Sequence, residues 1–169
     1  VYKRQGPDYA PYIIAELSAN HCGSIQNAFK TIQAAKDNGA DAVKLQTYTP
    51  QSMTLDSEKE DFLVKDGLWK GYKLFDLYNE AATPYEWHKE LFKYARDIGI
   101  TIFSSPFDEC AIDLLEELNT PAFKIASFEI VDLPLIEYAA SKGIPLLIST
   151  GMASEVEIEE AIKVAKRSG

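Results

Sequence analysis

Five short apolar runs punctuate the chain, and between them apolar residues recur at helical spacing. "YIIAELS" (12–18), "AVKLQTY" (42–48), "ITIFSS" (100–105), "AFKIAS" (122–127) and "PLLIST" (145–150) have the length and near-continuous apolar character of buried parallel strands. In segment 24–39, Ile25, Ala28, Phe29, Ile32 and Ala35 share one helix face, with Ser24 as N-cap and Gly39 as stop. Segment 83–99 reads as a helix with Thr83 as N-cap, Pro84 in the first turn, Glu86 closing a capping box and Gly99 ending it. Segment 154–169 repeats the capping-box pattern with Ser154 and Glu157, and shorter helices fit 108–118 and 133–142.

The order is β-α, five times over. Strand starts lie about 30 residues apart at the first crossover and near 22 at the third and fourth, while an insertion at 49–82 lengthens the second. Such a series builds either a doubly wound sheet or a barrel. The loop after the first strand, "AELSANHCGS", has one glycine and no dinucleotide fingerprint. The regular repeat favours the α/β class and a (β/α)8 TIM barrel. A complete barrel has eight strands and about 250 residues. The 169 residues are therefore expected to supply the first five βα units of a longer enzyme, or of a chain that needs a partner to close. Both outer strand edges would then lie open.

Composition narrows the function classes. Hydrophobic residues make up 46% and charged residues 25%, as in soluble globular chains. No run approaches the roughly 18 apolar residues of a membrane span. The opening "VYKRQGPDYAPYIIAEL" lacks the apolar stretch of a secretory signal, so a cytoplasmic chain is expected. The net charge of −9 argues against nucleic acid or an anionic membrane as main partner, without excluding a basic pocket for an anionic metabolite. Cys22 and Cys110 form no CxxC motif and are expected as free, small buried residues.

Polar residues gather at the C-terminal ends of the strands, where barrels of this class carry their chemistry. Glu16 ends the first run, with Asn20 and His21 in the loop beyond. Lys44 and Gln46 share one face of the second by alternation, towards the lumen if the apolar set faces the helices. The third ends in Ser104 and Ser105, the fifth in Ser149 and Thr150. In "FKIASFEI", Lys124 and Glu129 sit among apolar residues, where an unpaired charge is costly. Lys124 and the odd-numbered Ser127 and Glu129 cannot share a strand face. The strand must therefore end near Ala126 and turn over the mouth.

The charges have a purely structural explanation as buried ion pairs, Lys44 with Glu16 and Lys124 with Glu129. Two lysines, two glutamates, a glutamine and several hydroxyls, all at strand ends, point instead to a functional site. Paired lysines beside hydroxyls can grip phosphate and carboxylate together, and glutamates next to them suit proton transfer or orientation of a sugar hydroxyl. His88 is expected on a helix surface, and His21, alone in its loop, makes no metal site. Asp108 and Glu109 read as helix-start carboxylates.

The motifs "IIAELSANHCGS", "AVKLQTYTP", "FSSPFD", "FKIASFE" and "LLISTGM" resemble the N-terminal barrel of the sialic acid synthases, from about residue 11 to the end. The 57–88 stretch looks like the pseudaminic acid branch of that family. The resemblance implies condensation of phosphoenolpyruvate with an N-acetylated sugar aldehyde to a nine-carbon 2-keto acid, with phosphate released. It implies that Lys44, Ser105, Lys124, Ser127 and Ser149 hold phosphoenolpyruvate, that Gln46 contacts the sugar, and that Glu16 and Glu129 are the active-site carboxylates. It also implies a divalent metal, Mn²⁺ or Mg²⁺, whose ligands fall beyond residue 169, and a C-terminal antifreeze-like domain and homodimer that this chain does not contain. The rival readings are an N-acetylneuraminate or legionaminate synthase, a Schiff-base aldolase using Lys44 or Lys124, and an inactive barrel fragment.

Overall fold

In the structure, a computed structural model, residues 6–169 are described; residues 1–5, the head of the segment searched for a signal, lie outside them. The five strands are β1 (Ile14–Glu16), β2 (Ala42–Thr47), β3 (Thr101–Pro106), β4 (Phe123–Ile125) and β5 (Leu146–Ile148). They pair in parallel in the order β1-β2-β3-β4-β5, the sequential order of a barrel wall rather than the reversing order of a doubly wound sheet. Helices α1 (Ile25–Asp37), α4 (Tyr85–Ile98), α5 (Glu109–Glu117), α6 (Leu133–Ser141) and α7 (Glu155–Ser168) follow the strands.

The register sets two faces. Glu16 pairs with Lys44, Lys44 with Phe103, Gln46 with Ser105, and Lys124 with Leu147, so these residues share the lumen side. The alternate set, Val43, Leu45, Ile102, Phe123 and Ile125, is buried against Ile32, Leu91, Phe92, Ile112, Leu115 and Ile136 of the helices. This sheet–helix layer is the core, and the lumen side carries the polar cargo.

Helix boundaries follow local chemistry. The Ser24 side chain caps α1 at Asn27 N–H, and Ser154 and Glu157 close a reciprocal capping box on α7. Gly99 ends α4 with φ of 73°, a left-handed position that glycine takes without Cβ strain. The expected Thr83 cap is not formed. Pro84 is extended (ψ 137°), so α4 starts one residue later, with no side-chain cap. Both cysteines are free, as expected, but exposed rather than buried. Cys22 lies in a turn at φ of 49°, and Cys110 lies off the face on which α5 buries Ala111, Ile112 and Leu115.

The 49–82 insertion is ordered. It contains α2 (Pro50–Met53), a 3-10 turn (Glu60–Phe62), an antiparallel bridge between Leu63 and Lys73, and α3 (Leu74–Ala81). Lys73 staples it through Asp56 at 2.8 Å, Glu58 at 3.2 Å and Asp76 at 3.7 Å. Tyr48, one residue past β2, holds Tyr78 and Phe107 edge-on at 5.9 and 5.6 Å, which fixes the insertion to the strand ends.

Candidate functional site

Four charged side chains converge at the C-terminal ends of β1, β2 and β4. The Lys44 ammonium pairs with the Glu16 carboxylate, with the lysine side chain 16% exposed and the glutamate 41%. Lys44 Nζ also lies 3.5 Å from Ser105 Oγ. Lys124 Nζ donates to Ser149 Oγ and to the Ile125 carbonyl, both at 2.6 Å. The strand end thus pulls the ammonium over the mouth and joins β4 to β5. Ser149 N–H returns a bond to the same Ile125 carbonyl.

Lys124 is held below the ordinary lysine range, first by burial and second by the positive charge of Lys44, with Glu129 and Glu16 opposing. Two ammonium groups that raise each other's cost leave a site that an anion would relieve.

β4 ends at Ile125, and Ser127 has helical dihedrals opening a 3-10 turn, Phe128–Val131. This is the turn over the mouth that residue parity demanded. Ser127 Oγ faces the next loop, 3.8 Å from where a Cβ on Gly151 would stand. Glu129 does not close the ion pair with Lys124 that a structural reading allows. Its Oε2 is buried with no hydrogen-bond partner among the described residues. Burial first, and then the Asp132 charge, raise its pKa, against its own backbone N–H and Lys124. A half-buried carboxyl with one unsatisfied oxygen and a raised pKa, beside ammonium groups, is equipped to move a proton or accept a ligand hydroxyl.

Gln46 Oε1 accepts from Ser18 Oγ at 3.4 Å, so the loop after β1 reaches the second strand. Ser18 was not singled out by the sequence, because its approach depends on strand pairing.

His21 is buried, its Nδ1 accepting from Gly23 N–H at 3.1 Å and its ring edge-on to Trp87 at 5.5 Å. Burial lowers its pKa. His88 is fully buried, contrary to the surface position expected of it. It continues the Leu91, Phe92, Ala95 face of α4 at spacings of three, four and seven, which was legible in the sequence. Its Nε2 lies 2.8 Å from Thr47 Oγ1, which lies 2.6 Å from Ser104 Oγ. All three are on the helix side of the sheet. Asp108 caps α5 through Ala111 N–H, as a helix-start carboxylate should. Among the described residues no three His, Cys, Asp or Glu side chains come together as a metal set, so the residues present do not fit a divalent ion.

Fold and site together define a class: a parallel βα-barrel wall carrying lysine, carboxylate and hydroxyl groups at the C-terminal strand ends. Residues 31–169 match the model of the NeuB family, and the chain belongs to that family. It is 51% identical over 157 residues to a pseudaminic acid synthase of Helicobacter pylori, covering 93% of this chain and 46% of that one. It is 50% identical over 159 residues to a pseudaminic acid synthase of Campylobacter jejuni, covering 94% and 46%. The chain thus spans less than half the length of these relatives. Among solved structures, the N-acetylneuraminic acid synthetase of Leptospira borgpetersenii, in complex with citrate, superposes with a TM-score of 0.79 at 29% identity, over 93% of this chain and 50% of that one.

Proposed function

We propose that this chain is the donor-binding half-barrel of a pseudaminic acid synthase, joining phosphoenolpyruvate to 2,4-diacetamido-2,4,6-trideoxy-altrose with release of phosphate. The observation that carries it is the convergence of Lys44 and Lys124 with Ser105 and Ser149 on one lumen face. That arrangement suits a ligand carrying both phosphate and carboxylate. Identity of about half to two pseudaminic acid synthases supports the choice of sugar.

In this reading Lys44, Ser105, Lys124, Ser127 and Ser149 hold the donor, Gln46 contacts the sugar, and Glu16 and Glu129 serve the reacting centre. Phosphoenolpyruvate C3 attacks the sugar aldehyde carbon, whose oxygen takes a proton to become a hydroxyl. Water adds to the electron-poor C2 and loses a proton. The tetrahedral intermediate then expels phosphate with cleavage of its C–O bond. Glu129, with its raised pKa, is suited to carry one of these protons. Glu16 holds Lys44 in place until the anion arrives. A divalent ion, Mn²⁺ or Mg²⁺, and a homodimer belong to this reading, with the metal ligands supplied from outside the described residues.

The test is turnover by the full-length protein with phosphoenolpyruvate, a divalent cation and two competing sugars at equal concentration, products separated by mass. The diacetamido sugar should be preferred over N-acetylmannosamine by at least about 10²-fold in kcat/KM. An apolar wall alone rejects an added hydroxyl only to about that extent. Predominant N-acetylneuraminate would move the protein to another branch. Borohydride trapping of a pyruvate imine on Lys44 or Lys124 would favour an aldolase instead.

A further inference from the structure

We propose that His88 is a positioning residue. Through Thr47 and Ser104 it fixes the ends of β2 and β3, so that Lys44, Gln46 and Ser105 converge on the donor. The inference rests on the functional reading above.

The hydrogen-bond directions follow from the partners. His88 Nδ1 lies 3.0 Å from the Pro84 carbonyl, which can only accept, so Nδ1 carries the ring proton. Nε2 is then an acceptor and takes the Thr47 hydroxyl proton at 2.8 Å. Thr47 has no second proton, so at 2.6 Å it must accept from Ser104. The relay runs one way, from Ser104 to Thr47 to His88 to the backbone of Pro84. It requires a neutral imidazole, and burial, the largest influence on His88, lowers its pKa.

The relay stands at the C-terminal end of the β2–β3 ladder. Thr47 is in register with Pro106, which has no N–H to give. The side-chain chain therefore adds a tie between the two strand ends where the backbone has one donor fewer. Its two strand members each sit next to a site residue: Thr47 follows Gln46 and Ser104 precedes Ser105, with side chains alternating across the sheet. A shift of either strand end on the helix side therefore moves Gln46 and Ser105 on the lumen side, and with Ser105 the contact to Lys44. Neighbouring residues of α4 extend the same bracket, since Trp87 holds His21 in the β1 loop. The whole bracket begins two residues after the insertion ends at Ala82.

The experiment uses the full-length protein with Thr47→Val, Thr47→Ser and Ser104→Ala, reading KM for phosphoenolpyruvate, kcat and melting temperature. Thr47→Val keeps shape and breaks the relay. It should raise KM by about 10-fold, the order of one misplaced hydrogen bond, with a smaller change in kcat. Thr47→Ser restores the hydroxyl and should stay within about 3-fold of the unsubstituted protein. Ser104→Ala leaves the Thr47–His88 bond and should fall between them, which also serves if Thr47→Val does not fold. A purely structural relay would lower the melting temperature of Thr47→Val and Ser104→Ala while leaving KM unchanged, and that result overturns the inference alone. Failure of the unsubstituted protein to turn over phosphoenolpyruvate overturns the functional reading and this inference with it.

Discussion

Lys124 and Glu129 show how much chemistry rests on where a single side chain ends. The Lys124 ammonium is held at the strand end by Ser149 and the Ile125 carbonyl, while burial and then the Lys44 charge lower its basicity. In the full-length protein Lys124→Ala should weaken phosphoenolpyruvate binding by about 30- to 5,000-fold, the equivalent of about 2–5 kcal/mol for a lost charged partner. Titration calorimetry checks this, and unchanged affinity would remove Lys124 from the donor site. Because its pKa is lowered, the unliganded lysine loses its proton at a lower pH than an ordinary lysine. Donor affinity should therefore fall as pH rises through that lowered pKa, and the fall should vanish in Lys124→Ala. Glu129 has the opposite sign. Its folded-state pKa is raised, so its stability contribution is complete below the unfolded carboxylate pKa and is lost as pH rises through the folded value. Glu129→Gln should thus raise the melting temperature at pH values above the folded pKa and hardly change it below, the half-exposed position keeping the gain small. The same change should lower kcat at least about 10²-fold. A variant that is more stable with near-normal kcat would make Glu129 a bystander.

Elements differ in how they hold together. The core helices bury Leu91, Phe92, Ile112, Leu115 and Ile136, whereas the insertion rests on one ammonium and a few aromatic edges. It exposes Leu68 at 92% and Trp69 and Tyr72 at about half, beside the strand ends. Among the described residues one cation, Lys73, serves Asp56, Glu58 and Asp76, and their attraction holds its pKa well above the ordinary lysine range. Lys73→Met should leave three carboxylates facing one another and loosen the segment between Thr54 and Lys73. Limited proteolysis should cut there several times faster while the global melting temperature hardly moves, since exposed ion pairs contribute little to overall stability. Equal cleavage rates would place the anchorage in Tyr48, Tyr78 and Phe107 instead.

At the scale of the molecule the five-stranded sheet has two outer edges, β1 and β5. Among the described residues β1 pairs only with β2 and β5 only with β4. The lumen-side residues of these outer strands, Ile14 and Leu147, are 41% and 44% exposed. A further apolar groove beside β5 is lined by Leu146, Ile148, Ile162 and Ala165. Unpaired parallel edges flanked by apolar surface recruit other chains. The 169-residue chain alone should therefore associate with rising concentration, despite its net charge of −9. Sedimentation velocity checks this. A single monomeric boundary up to about 100 µM would mean that the edges are protected by charge or by rearrangement.

Strand and helix order, the two sheet faces and the capping box of Ser154 and Glu157 were legible along the chain because each depends on a pattern within a few residues. Parity alone located the end of β4 before Ser127 and Glu129, and alternation put Lys44 and Gln46 on one face. Local pattern did not reveal which charges are paired. Glu16 meets Lys44 while Glu129 Oε2 finds no hydrogen-bond partner among the described residues, because register and the turn at Phe128–Val131 determine those distances. The extended Pro84 displaced the expected cap at Thr83. His88 was misplaced although its helix face was readable, since a histidine beside a charged helix surface gives no local sign of a buried partner. Its partner Thr47 lies 41 residues away, and Ser104 lies 57 residues from Thr47. The sequence by itself determined the elements and the residue types at their ends. Only the closing of β2 onto β3 and α4 across those separations decided which of them touch, because hydrogen-bond partners are selected by tertiary geometry rather than by neighbours in the chain.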